Sequence, residues 1–120
     1  MVRIFIVDDE EDIRTLFERF LILRGFDVLT PACNGKEAID MFIQFNPKPD
    51  IILMDHHMPL KTGIEAAKEI KQLNGNVKII FISGDTQIKE KALATGAIDF
   101  IIKPFKVNDI IESITNALAS

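Results

Sequence analysis

The chain has 120 residues, is 48% hydrophobic and 27% charged, and carries a formal net charge of −4. That length suits one soluble domain, here residues 1–120, with a core large enough to need no staples, and the acidic balance argues against direct nucleic-acid binding. A single cysteine, Cys33, excludes an internal disulfide and fits a reduced, cytoplasmic setting, no apolar run approaches the ~20 residues of a membrane span, and the opening "MVRIFIV" is too short for a signal peptide.

Five apolar runs read as strands: "RIFIV" (3–7), "DVLT" (27–30), "IILM" (51–54), "KIIFIS" (78–83) and "FIIK" (100–103). All but the second are nearly continuous in apolar residues, as suits strands covered on both faces. After the first strand, Ile13, Leu16, Phe17 and Phe20 follow the spacing of one helix face. After the second, Ala38, Met41, Phe42 and Phe45 repeat it, with Asn34 and Glu37 reading as a capping box. "FNPKPD" (45–50) is a loop. After the third strand Ile64, Ala67 and Ile70 give a looser face, opened by Thr62 and Glu65. After the fourth, Gln87 to Thr95 offers only Ile88, Ala92 and Leu93, which predicts a loosely held element. After the fifth, Val107, Ile110, Ile111, Ile114 and Leu118 form the clearest stripe. Lys106 cannot accept a helix N–H at its start, so either Asn108 caps one turn later or the start frays. Gly25, Gly75 and Gly96 stand where helices should stop. Fivefold β-α alternation implies an α/β fold: a doubly wound parallel sheet with helices on both faces.

In such a sheet the strand carboxyl ends share one edge, and ligands bind there. The first strand runs into "DDEED" (8–12), the third ends at Asp55, the fourth at Ser83-Gly84-Asp85 and the fifth at Lys103-Pro104. Each is a weak signal alone, since an acidic pair after a strand is commonly a solvated helix start. Together they have few purely structural explanations. Two carboxylates ~4 Å apart repel by about 4 kcal/mol at an effective dielectric near 20, a large share of a domain's roughly 5–15 kcal/mol. Asp8, Asp9 and Asp55 must therefore protonate, spread apart or take a cation. Oxygen-only donors suit Mg²⁺. Lys103 adds a point charge suited to phosphate, and Ser83 a hydroxyl. The set points to phosphoryl transfer, with Asp55 as the nucleophile.

With "IVDDEEDIR", "IILMDHHMPLKTG", "FISGD" and "FIIKPF" in this order, the chain resembles a response-regulator receiver domain over essentially its whole length. The resemblance implies a flavodoxin-like (βα)5 sheet of order 2-1-3-4-5. It implies that Asp9 ligates Mg²⁺ directly with Asp8 assisting, and that Asp55 is both ligand and phosphoacceptor for a histidine kinase. The His57 backbone carbonyl would be a further metal ligand. Ser83 and Lys103 would bind phosphoryl oxygens, Lys103-Pro104 would be a cis bond, and Phe100 would be an aromatic switch coupled to Ser83. The fourth helix, fifth strand and fifth helix would form the face presented to a downstream protein target. The implied role is a two-component signalling switch that is not a turnover enzyme and only slowly dephosphorylates itself. The alternative is a phosphorelay intermediate handing the group to a histidine phosphotransferase. No output domain is expected after the fifth helix.

Some positions depart from the commoner family pattern. Phe100 stands where many relatives carry tyrosine, and Ser83 replaces threonine. His56 and His57 read first as partly exposed loop residues. On a second reading the His57 side chain overhangs the pocket, with Asp85 acting from the opposite side, and tunes hydrolysis of the phosphorylated Asp55. The rate would then follow histidine charge between about pH 5.5 and 7.5. Imidazole metal ligation would imply a transition metal instead. Three rival functions are weaker. A metal-dependent phosphoesterase of the Asp-His-His type needs more acidic motifs and a longer chain. A flavodoxin-like cofactor binder wants a Ser/Thr/Gly-rich loop where "DDEED" stands. A receiver-like module that is never phosphorylated would not need Asp9, Asp55, Ser83 and Lys103 together.

Overall fold

A computed structural model describes all residues, Met1–Ser120. Five strands form one parallel sheet: β1 (Arg3–Val7), β2 (Asp27–Val28), β3 (Ile51–Met54), β4 (Lys78–Ser83) and β5 (Asp99–Ile102). Their spatial order is β2-β1-β3-β4-β5, with every neighbouring pair parallel. Five helices alternate with them: α1 (Glu11–Leu23), α2 (Gly35–Gln44), α3 (Gly63–Leu73), α4 (Lys89–Ala94) and α5 (Val107–Leu118). This is the expected doubly wound, flavodoxin-like architecture.

The pleat of each strand sends alternate residues to opposite faces. Phe5, Val7, Ile52, Met54, Ile79, Phe81 and Phe100 face one layer, covered by α2, α3 and α4. Ile4, Ile6, Ile51, Leu53, Ile80 and Ile82 face the other, covered by α1 and α5. The central strands are therefore buried on both sides, which is why their sequences are unbroken apolar runs.

Several local expectations shift. The α1 face is Phe17, Phe20 and Leu21, while Leu16 is 43% exposed. On α5, Leu118 is likewise exposed and Ala117 is buried in its place. β2 stops at Val28 rather than Thr30. Leu29 donates to the Ile4 carbonyl, but Ala32, not Pro31, donates to Ile6. Pro31 has no N–H, so the edge carries an extra residue before pairing resumes at Ala32. β5 is displaced by one residue, leaving Lys103 just past its end, although the Lys103 N–H still donates to the Ser83 carbonyl at 3.0 Å.

The caps are also partly rearranged. Asn34 accepts the Glu37 N–H at 2.7 Å, but Glu37 reaches back to the Cys33 N–H instead of completing a box with Asn34. Thr62 and Glu65 do complete theirs. At α5, Asn108 lies within the helix and does not cap it; the Asp109 carboxylate instead accepts the Lys106 N–H at 3.0 Å. Gly25 and Gly96 take the left-handed conformation after their helices (φ +88° and +100°), whereas Gly75 does not, since Asn74 already ends α3 in an extended conformation.

Candidate functional site

The register of β1 against β3 builds the site. Val7 pairs with Met54, and the Asp55 N–H donates to the Val7 carbonyl at 2.9 Å, so the residues that follow both strands emerge side by side. Asp8 is 1% exposed and Asp55 7%. Asp9 and Glu10 are exposed. The Asp8 side chain accepts the Glu10 N–H at 2.9 Å, and Arg14 donates to the Asp8 carbonyl at 2.7 Å, which fixes the acidic turn on the first turns of α1. This turn brings in a residue that sequence reasoning left out. Asp8, Asp9 and Glu10 each place a carboxylate oxygen within 4.8 Å of the others. The run of acids was the available signal; its folding back onto Asp8 was not legible in it.

Lys103 enters from the far side. Its Nζ lies 3.7 Å from Asp8 Oδ2 and 3.6 Å from Asp55 Oδ1. One ammonium thus faces both buried carboxylates, as their shared place at the sheet edge anticipates. It does not neutralise them. Burial pushes the Asp55 carboxyl up to about 6, with Asp8 and Asp9 adding repulsion and Lys103 opposing it. Burial also raises Asp8, against the pull of the Glu10 N–H and Lys103. These are the properties of an anionic cluster that a hard cation would stabilise. The donors of Asp8, Asp9, Glu10 and Asp55 are all oxygens, so the chemistry of the set fits Mg²⁺.

The close packing of the β3–α3 turn holds Asp55 in place. A Cβ on Gly63 would land on the Asp55 carbonyl oxygen and lie 2.9 Å from His56 Cα. Only glycine lets the start of α3 approach this closely. The Gly63 N–H donates to the His56 carbonyl at 2.9 Å. His56 itself is buried, at 8% exposure, contrary to the expectation of a partly exposed loop residue. Its Nδ1 accepts the Ile64 N–H at 3.3 Å, so the imidazole satisfies a free donor of the first turn of α3. Burial lowers its pKa, with His57 adding to the effect, which keeps that acceptor neutral.

His57 is exposed, and its Nε2 meets Asp85 Oδ2 at 2.9 Å, joining the turns that follow β3 and β4. Asp85 is held below the usual carboxylate range by that bond, assisted by the Gln87 N–H. Both imidazoles are thus engaged, His56 with Ile64 and His57 with Asp85, and the ligand atoms that converge are those of Asp8, Asp9 and Glu10.

Ser83 is buried, and its Oγ accepts the Asp85 N–H at 3.1 Å. Phe100 is packed inward at 7% exposure, its ring stacked on Phe81 with centroids 6.4 Å apart. The Lys103-Pro104 bond is cis. Behind Phe100, α4 has six residues and buries only Ala92, in keeping with its poor apolar pattern. No helix is long and apolar enough to cross a membrane.

Comparison with known proteins agrees with this fold. The family model described as the response regulator receiver domain matches residues 4–115. The chain is 38% identical over 118 residues to the chemotaxis protein CheY of Bacillus subtilis, covering 97% of each chain. It is 38% identical over 114 residues to CheY of Thermotoga maritima, covering 93% of each. Among solved structures it matches the CheX-CheY-BeF3-Mg²⁺ complex of Borrelia burgdorferi at TM-score 0.93 and 26% identity, covering 99% of this chain and 90% of that one.

Proposed function

The chain belongs to the response-regulator receiver family, and from that premise we propose that it is a phosphorylation switch whose acceptor is Asp55. The observation that carries this reading is the position of Lys103, 3.6 Å from Asp55 and 3.7 Å from Asp8 at the carboxyl edge of the sheet. An ammonium there holds the acceptor in orientation and faces the oxygens of an incoming phosphoryl group.

In the proposed reaction an Asp55 carboxylate oxygen attacks phosphorus, and the P–N bond of a phosphohistidine on a histidine kinase or phosphotransferase breaks. The leaving imidazole takes up a proton, and an acyl phosphate remains on Asp55. Asp8, Asp9, Asp55 and the His57 carbonyl would hold Mg²⁺, which supplies charge neutralisation for the phosphoryl oxygens. Lys103 and the Ser83 hydroxyl would bind the oxygens of the product. His57 and Asp85, two residues beyond Asp55 and Ser83 respectively, would set the access of water and so the slow rate of self-dephosphorylation. Mg²⁺ and BeF3 in the Borrelia relative's complex support the cofactor, and its partner CheX supports a protein target.

The proposed output face is α4, β5 and α5. Drawing the Ser83 hydroxyl toward a phosphoryl oxygen would pull on the β4–α4 turn, next to the packed Phe100 ring. The proposed setting is the cytoplasm, with no direct nucleic-acid or membrane contact.

The test is incubation with phosphoramidate and Mg²⁺, followed by intact mass. One added phosphoryl group is expected, labile to base and absent in Asp55→Asn. An unmodified wild-type chain, or a modified Asp55→Asn, removes Asp55 as the acceptor.

A further inference from the structure

We infer that the hydrogen bond between His57 and Asp85 is a clasp that holds α4 in the position seen here. Its two ends differ in anchorage. His57 belongs to the tightly packed β3–α3 turn, and its ring lies edge-on against the buried His56, centroids 4.7 Å apart. His56 is in turn bonded to the first turn of α3. Asp85 belongs to the opposite turn and starts the chain into α4. One of its carboxylate oxygens accepts the Gln87 N–H at 3.0 Å, capping the single 3₁₀ turn Thr86–Ile88 that leads into the helix. The other oxygen meets His57 at 2.9 Å.

The helix beyond has little else to hold it. Ala92 is its one buried residue, Ile88 at its start is half-buried against the core, and Leu93 is 37% exposed. An element with so little buried apolar surface has a low local opening free energy, so one tether at its start weighs heavily. The Asp85 N–H also donates to Ser83 Oγ, so the clasp and the hydroxyl at the site move together. On the reading that Asp55 is phosphorylated, a Ser83 hydroxyl drawn toward the phosphoryl group would disturb its bond to the Asp85 N–H and with it the clasp. That consequence rests on the proposed function; the clasp itself does not.

The test uses the unmodified protein, so its outcome is independent of Asp55 chemistry. Amide hydrogen exchange is compared at one pH for the wild type, His57→Ala, Asp85→Ala and the double variant. An exposed pair of this kind corresponds to between about 1.4-fold and fivefold in an opening equilibrium. His57→Ala is expected to speed exchange across residues 87–95 by a factor in that range, with α3 and α5 unchanged. His57→Ala added to Asp85→Ala is expected to have no further effect, and His57→Gln, which keeps a donor, restores part of the protection. Exchange over 87–95 that is indifferent to His57→Ala, or effects of the two substitutions that simply add, would overturn the clasp.

Discussion

The β3–α3 and β4–α4 junctions leave the same edge of the sheet from adjacent strands, yet they are built in opposite ways. The first is locked: Gly63 packs against the Asp55 carbonyl, His56 bonds the helix start, Thr62 and Glu65 form a complete capping box, and Ala66, Ala67 and Ile70 are buried. The second is light: a 3₁₀ turn and a six-residue helix with one buried side chain. A reacting carboxylate must be held still, because small misplacements cost rate. An element that reports a change must have a low opening free energy. The two junctions divide these demands between them.

Four measurements would sharpen or break this contrast. The largest effect should come from the glycines. Gly63→Ala drives a methyl group into backbone and is expected to cost about 3 kcal/mol in urea unfolding. Gly84→Ala, whose new methyl would meet only Lys103 Cβ at 3.9 Å, should stay within about 0.5 kcal/mol. Equal costs would mean that the two junctions are packed alike.

Next is the charge that the locked junction confines. Asp55 is pushed up to about 6 from an ordinary 3.8, so the folded state holds its proton more firmly than the unfolded chain does. The stability from this group is full below the unfolded value and is lost as pH rises through the folded one. Removing the charge should therefore stabilise the protein above that window. Asp55→Asn is expected to gain about 2 kcal/mol at pH 7.5 and to lose most of that advantage by about pH 4. Millimolar Mg²⁺ should narrow the gap at pH 7.5. A gain independent of pH would mean that neither burial nor neighbouring charge disfavours the carboxylate.

Thr62→Ala removes the side-chain acceptor of the α3 capping box and should cost about 1 kcal/mol by thermal unfolding. Leu93→Ala should change global stability least, by about 0.5 kcal/mol at most, because the side chain is 37% exposed and its helix contributes little to the core. A loss of several kcal/mol there would show α4 to be as firmly held as α3.

Much of the fold was legible because a parallel sheet buried on both faces leaves unbroken apolar runs. β1, β3 and β4 fall on the runs that named them, and the weakness of α4 was visible in its missing stripe. The short edge strand and the α1 face were less legible. Leu16 and Leu21 have the same chemistry and both fit plausible stripes. The way α1 packs on the sheet selects Leu21.

What the sequence determined by itself is the pattern of burial, the direction of the strands and hence the edge at which Asp8, Asp9, Asp55, Ser83 and Lys103 collect. These follow from periodicity and chain connectivity, which are local properties. What only the tertiary structure decided is which polar groups touch: Lys103 between Asp8 and Asp55, Glu10 folded beside the acidic pair, His56 buried as a helix acceptor, and His57 bonded to Asp85 28 residues away. The reason is physical. A hydrogen bond or ion pair depends on positions to within a few tenths of an ångström, and those are set by how separate loops pack, which no spacing along the chain encodes.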